Sequence, residues 1–425
     1  MAPETVSNQR RLLIFGINYA PEEISTGVNT TGLAEALPAL GWDVTVVTGI
    51  PHYPAWREMP IPAGISYGPV EVIRRRHYIP SKQSLLRRGA FELSWVASSL
   101  PVLRRQPAPD LVLGVVPNLG GAALAAAAAG RYGVPYALMF QDLIGRAATQ
   151  SGIRGVSTAA GVLRRVELSL ARRAAVTAVI AEGFRDYFID GGVPASRIAR
   201  VRNPVRLFAA VRDRAETRAL LGWREGDFVV LHSGNMGYKQ GLETLVQAAA
   251  LARERASLRF ILQGDGNQRA GLEALARGLG LTNLSFLPLA PADDFPSILA
   301  AADLLLVNQR ASVRDMSLPA KITSYFAVGV AVIASVAAES ETGKEITLAG
   351  AGEVIQPENP ALLLDAISRL AADPERRARL GASGKRYAKH TLSADEAMRN
   401  ISRVLESALE RGPAHEGRRL TARSV

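Results

Sequence analysis

Short apolar runs alternate with longer amphipathic stretches along this sequence, and the alternation starts afresh near its middle. A strand buried on both faces reads as a continuous apolar run, whereas a surface helix repeats its apolar positions every three to four residues. Strand runs fall at residues 12–16, 43–48, 70–74, 111–116, 136–140 and 175–180 of the first half. In the second half they fall at residues 228–233, 258–263, 284–287, 304–307, 331–335 and 352–354. Helical stretches fill the gaps, among them residues 31–40, which end at Gly41, and a basic amphipathic stretch around residues 83–105. Such units build parallel sheets with helices on both faces. The length of 425 residues exceeds what one core usually holds. The predicted fold class is α/β, with two doubly wound domains that bind ligands at the carboxyl ends of their strands.

Composition narrows the chemistry. With no cysteine, the chain has no disulfide, no thiolate nucleophile and no cysteine-ligated metal. Its five histidines show no metal-ligand spacing, so no metal site is predicted. The net charge is +11, and much of the arginine lies early, at Arg74, Arg75, Arg76, Arg87, Arg88, Arg104 and Arg105. Two readings of that charge stay open: solvated helix faces, or attraction to an anionic surface such as phospholipid or a phosphorylated substrate. No nucleic-acid-binding pattern accompanies it, so nucleic acid is not a predicted partner. Residues 1–9 are polar, which predicts no signal peptide. The nearly uncharged residues 111–139 are broken by Pro117, Asn118, Gly120 and Gly121, and read as strand, turn, helix and strand rather than a bilayer span. A cytoplasmic location is expected.

The segment VVLHSGNMGYKQGLETLVQAAA, residues 229–250, reads as a buried strand, a glycine-bearing turn and an amphipathic helix. Amides left unpaired at such a helix start, together with the helix dipole, suit phosphate. Gly264, Asp265 and Gly266 close the next strand in a second turn.

Six motifs, taken in order, give the chain a family resemblance. They are YAPEEISTGVNTTGLAEALPALGWDVTVVTGIPHYPAW (residues 19–56), MFQDL (139–143), HSGNMGYKQGLETLVQAA, LQGDGNQR (262–269), SLPAKITSYFAVGVAVIAS (317–335) and SETGKEI (340–346). The chain resembles glycosyltransferase family 4, in particular the branch of colanic-acid and O-antigen fucosaminyl-type transferases. That resemblance implies the GT-B fold, two facing Rossmann-like domains with a cleft between them. The domains are expected at residues 1–205 (acceptor side) and 206–390 (nucleotide-sugar side). A helix at residues 391–412 is expected to cross back to the first domain, and a basic tail at 413–425 to be mobile. The implied reaction moves a sugar, with retention, from a nucleotide-diphosphate donor of UDP or GDP type to an acceptor hydroxyl, without metal or other cofactor. The implied acceptor is a lipid-linked saccharide in cell-surface polysaccharide assembly, reached from the inner face of the plasma membrane. Two alternatives stay open: transfer to a soluble natural product, and a non-catalytic nucleotide-sugar-binding subunit.

The resemblance also implies site residues. Donor contacts are expected from Gly234, Asn235, Met236, Gly237, Lys239, Gly264, Asp265, Gly266, Ser317, Leu318, Lys321 and Glu341. The usual Arg and Lys of the phosphate turn are replaced here by Asn235 and Gln240, so Lys321 is the expected source of positive charge. The family's E-x7-E acids would fall at Met316 and Ser324; Asp315 or Glu341 is expected in their stead. Gly27, Val28, His52 and Tyr53 are expected on the acceptor side, in loops that follow the first two strands. Asp142, Lys321 and His52 are the candidate catalytic residues.

Overall fold

A computed structural model describes residues 9–22, 24–53, 55–81, 85–116, 118–143, 157–202, 211–291, 293–313 and 320–413. The chain divides into two units, Met1–Asn203 with Ala397–Val425, and Pro204–Glu396.

The first unit is built on β1 (Arg10–Phe15), β2 (Trp42–Gly49), β3 (Glu71–Arg75), β4 (Leu111–Val116), β5 (Tyr136–Phe140), β6 (Val176–Val179) and β7 (Ile198–Arg200). All pair in parallel in the order β3-β2-β1-β4-β5-β6-β7. Every residue of β4 and β5 is buried, which is why these strands carry no alternation. Within residues 111–139 the described chain therefore forms β4, the helix Leu119–Tyr132 and most of β5. Among the described residues, no helix is long and apolar enough to cross a membrane. The helix Ala394–Arg411 buries Ile401, Val404, Leu405 and Ala408 with Leu12, Ile14 and Leu113 of the first sheet. Their spacing is that of a helix stripe facing a core.

The second unit is built on β8 (Phe228–Ser233), β9 (Leu258–Gln263), β10 (Leu284–Leu287), β11 (Leu304–Asn308), β12 (Val332–Ser335) and β13 (Gly352–Ile355). These too are parallel, in the order β10-β9-β8-β11-β12-β13. Strand order reverses between β1 and β4 in one sheet and between β8 and β11 in the other. Those reversals are where open α/β sheets leave a crevice beyond their carboxyl ends.

Three local expectations are corrected. Residues 25–28 are not a loop: they form the first turn of the helix Ser25–Ala36, with the Val28 amide donating to Ile24 O at 2.9 Å. That helix gives way at Pro38, which lacks an amide proton, to a tighter turn over Leu37–Leu40 that Gly41 closes at φ +85°. The basic helix spans Leu85–Ser99, and Pro101 falls in a separate turn, Leu100–Arg104. The helix after β8 starts at Glu243, well past the glycine turn, with a short turn at Tyr238–Gln240 between them.

Candidate active site

At the carboxyl end of β8 the chain runs His232, Ser233, Gly234. The helix Ala320–Val328 is fixed against this end by two side chains one turn apart, Lys321 and Tyr325. Tyr325 is fully buried; its hydroxyl accepts from the Ser233 amide at 2.9 Å and donates to Ser233 O at 3.2 Å. Burial pushes the Tyr325 phenol well above its ordinary range, so it stays protonated. Lys321 Nζ lies 3.3 Å from His232 Nε2, and a Cβ built on Gly234 would stand 3.4 Å from Nζ. Burial pushes the Lys321 amine down to about 8. His232 is fully buried and held well below its ordinary range, first by burial and then by the Lys321 charge.

The two glycine turns meet back to back. A Cβ at Gly264 would stand 2.0 Å from Gly234 O, and one at Gly266 would stand 2.6 Å from Met236 O. Gly234 and Gly264 adopt φ +130° and +131°, a region that side chains disfavour. These glycines are thus explained by the contact between the turns. The expectation of unpaired amides at this turn is corrected in part, for the same reason. Gly234 N donates to Gln263 O at 2.9 Å, and Met236 N to Asp265 O at 2.7 Å. The Met236 side chain is buried in the core. Among the described residues, no backbone carbonyl takes the amides of Asn235 and Gly237, and the Asn235 backbone also lies against the His232 ring. Asp265 is exposed, and its Oδ1 accepts from Gly266 N at 2.7 Å, which shapes the turn.

Other donor-side expectations separate. Lys239 is exposed in the short turn at Tyr238–Gln240, where its carbonyl accepts from Arg310 N. Glu341 is buried in the first turn of the helix Glu341–Ala349, 3.7 Å from Lys344, where a negative charge suits the helix dipole. It does not stand open to a ribose. Asp315, Ser317 and Leu318 lie outside the described residues. The sequence reading missed His232, Tyr325 and Asn308. Asn308 ends β11, and its Nδ2 donates to Gln240 O and Gly241 O at 2.6 and 2.8 Å, tying the loop after β8 to the neighbouring strand. Gln240 Oε1 and Asn308 Oδ1 are buried without a hydrogen-bond partner among the described residues.

The acceptor-side residues of the first unit gather around Glu22, which the sequence reading also missed. Glu22 is 3% exposed. Its Oε1 accepts from the amides of His52 and Tyr53, both at 2.8 Å, and its Oε2 accepts from Asn18 Nδ2 at 2.8 Å. His52 Nδ1 lies 2.8 Å from Ile50 O and 3.2 Å from Glu22 Oε1, so this nitrogen carries the proton. His52 is buried among His77, Trp56 and Phe91, at ring-centroid distances of 5.2, 5.5 and 5.2 Å. His77 Nε2 accepts the Ile50 amide, an approach that requires Gly49 to lack a Cβ. Gly27 sits where a Cβ would stand 3.0 Å from Glu22 O, beside Val28 in the same helical turn. Asp142 is exposed just beyond β5, with Oδ1 accepting from Leu143 N at 2.8 Å. The structure therefore brings His52, Tyr53 and Gly27 together around Glu22.

Residues 213–387 match the family described as Glycosyl transferases group 1, and residues 26–204 match the Glycosyl transferase 4-like domain. The chain is 30% identical over 409 residues to WcaI of Escherichia coli (strain K12), named for colanic acid biosynthesis glycosyl transfer; the match covers 92% of this chain and 98% of WcaI. It is 22% identical to a GDP-mannose-dependent phosphatidylinositol monomannoside mannosyltransferase of Corynebacterium glutamicum, over 47% of this chain and 52% of that one. Among solved structures, Anabaena HepE in complex with UDP and glucose superposes with a TM-score of 0.68 at 18% identity, covering 94% of this chain and 100% of HepE. WaaG, a glycosyltransferase involved in lipopolysaccharide biosynthesis, gives a TM-score of 0.65 at 16% identity, covering 92% and 98%. At these identities the likeness shows a shared fold.

Proposed function

The chain belongs to glycosyltransferase family 4, of the GT-B fold, and from that membership we propose that it moves a sugar, with retention, from a nucleotide-diphosphate donor to a lipid-linked saccharide. The observation that carries the donor half is the Lys321 ammonium held at the turn after β8. A departing diphosphate needs positive charge placed beforehand where negative charge grows. Lys321 supplies the charge, and the Asn235 and Gly237 amides add donors on the same turn. In this reading no metal ion is needed, because the ammonium takes its role. HepE is described with UDP and the Corynebacterium relative as GDP-mannose-dependent, which supports a donor of UDP or GDP type.

The acceptor half rests on the first unit and on the relatives' names. WcaI and WaaG are named for colanic acid and lipopolysaccharide synthesis, which supports a role in cell-surface glycan assembly. Leu86 and Leu93 are 87% and 70% exposed on the helix Leu85–Ser99, beside exposed Arg87 and Arg88. An apolar stripe with cationic neighbours suits the surface of an anionic membrane, which here is the inner face of the plasma membrane. Asp142, beyond β5, orients the acceptor hydroxyl. His52 and Tyr53 shape the acceptor wall, with His52 held in place rather than free to move protons.

Thermal unfolding with UDP, GDP, TDP and CDP tests the donor. One of UDP or GDP is expected to raise the midpoint, because a ligand that binds only the folded state stabilises it. A midpoint that none of the four moves would sink the donor assignment. NMR of freshly formed product tests retention, and an inverted anomer contradicts it. Flotation with anionic liposomes tests the membrane reading; recovery of all protein in the unbound fraction refutes it.

A further inference from the structure

We propose that His232 is a positioning residue: as a neutral hydrogen-bond acceptor it anchors the Lys321 ammonium at the end of β8 without cancelling its charge, which leaves that charge for the donor diphosphate. The inference rests on the donor reading above. It concerns how the cation is held, not whether it meets phosphate.

Four observations support it. Leu306 O lies 3.3 Å from His232 Nδ1, and a carbonyl only accepts, so Nδ1 carries the proton. Nε2 therefore presents a lone pair, and Lys321 Nζ stands 3.3 Å away to donate into it. Among the described residues, Lys321 has no other hydrogen-bond or ion-pair partner. His232 is fully buried, so it cannot touch a ligand and acts only through Lys321.

The residue type follows from the task. Lys321 is half-buried, and an ammonium drawn partly out of water needs an acceptor, since leaving its protons unmet is costly. A carboxylate would satisfy it best, but would also cancel the charge that attracts a diphosphate. A neutral imidazole fixes direction and leaves the charge intact. Burial and the Lys321 charge both keep His232 unprotonated, so the pair does not become two repelling cations. The ring is pinned by Leu306 O, so little rotamer freedom remains to blur the position of Nζ.

The test titrates the full chain with UDP and with GDP by calorimetry at pH 7 and pH 9. Wild type is compared with His232→Gln, His232→Leu, His232→Glu and Lys321→Met, and urea unfolding is recorded for each. His232→Gln keeps an acceptor and should bind within about threefold of wild type. His232→Leu removes the acceptor and should weaken binding about tenfold. His232→Glu should weaken it about a hundredfold at pH 7, because the new carboxylate pairs with the ammonium. Its remaining affinity should also hold between pH 7 and 9, where wild-type affinity declines, since the carboxylate keeps Lys321 protonated. A purely packing role would shift the urea midpoints and leave affinities equal, and that result overturns the proposal. Should His232→Glu fail to fold, equal affinity of His232→Leu and wild type decides against it. If neither nucleotide binds wild type, or Lys321→Met binds as well as wild type, the donor reading fails and the inference with it.

Discussion

At the carboxyl end of β8 a buried histidine accepts from a cation, and just past the carboxyl end of β2 another buried histidine lies beside an acid. Both places follow parallel strands, and both keep a histidine ring out of water. The difference lies in what the charge is used for. Glu22 spends its oxygens on its own chain: the amides of His52 and Tyr53 and the amide group of Asn18. Lys321 meets a single neutral ring nitrogen among the described residues. The first arrangement is saturated and holds a loop. The second is under-satisfied and is built to receive something. Buried charge alone therefore does not mark a ligand site; buried charge without a matching countercharge does.

Variants can break this contrast, and the glycines should give the largest effect. Gly264→Ala places a methyl 2.0 Å from Gly234 O at φ +131°, so neither backbone can yield. A loss above about 4 kcal/mol is expected in urea unfolding. Gly27→Ala meets Glu22 O at 3.0 Å on a helix, and should cost no more than about 1–2 kcal/mol. Comparable losses would show that the two turns do not carry the constraint described.

The charged residues come next and should act with opposite signs. Glu22→Gln leaves amides of the His52 loop facing an NH2 group or a weaker acceptor, and should destabilise by about 2–3 kcal/mol. Lys321→Met removes an ammonium whose amine sits at about 8 in the fold against 10.5 ordinarily. It should stabilise the ligand-free protein at pH 7 by about 1–3 kcal/mol. Destabilisation by both would erase the distinction between a saturated and an under-satisfied site.

Titration should separate the two places further. Between about 8 and 10.5 the unfolded chain holds a proton on Lys321 that the folded chain has lost. Stability from this group therefore rises with pH across that window, and Lys321→Met should flatten the rise. Ligand affinity runs the other way, because a diphosphate prefers the charged amine and binds less well above pH 8. His77 gives the smallest effect. Burial holds it below its ordinary 6.5, and its Nε2 must give up the Ile50 amide before it can take a proton. Stability should fall as pH drops below 6.5, and His77→Gln should flatten that limb by less than about 1 kcal/mol. A variant with an unchanged acid limb would contradict this.

The sheets were legible because fully buried strands such as Leu111–Val116 and Tyr136–Phe140 leave continuous apolar runs. Helix starts were less so. The Ser25–Ala36 helix begins without a side-chain cap, so nothing in STGV announces it. Lys321 was found through the family resemblance, as the charge that stands in for the Arg and Lys missing at Asn235 and Gln240. His232 was not, because it sits inside a strand run and its role depends on a residue 89 positions away. Glu22 was passed over for a similar reason: its partners at 52 and 53 are backbone amides, which no residue letter shows. The turn at Gly234 was found but partly misread. Its glycines suggested open amides for phosphate, whereas the neighbouring turn at Gly264 already takes the Met236 amide.

A crystal structure of the full chain with UDP or GDP, whichever binds, tests the account most directly. The diphosphate oxygens should lie within hydrogen-bond reach of Lys321 Nζ and of the Asn235 and Gly237 amides, with His232 Nε2 still accepting from Nζ. A diphosphate bound away from the end of β8, or a Lys321 ammonium turned from it toward a carboxylate, would contradict the account.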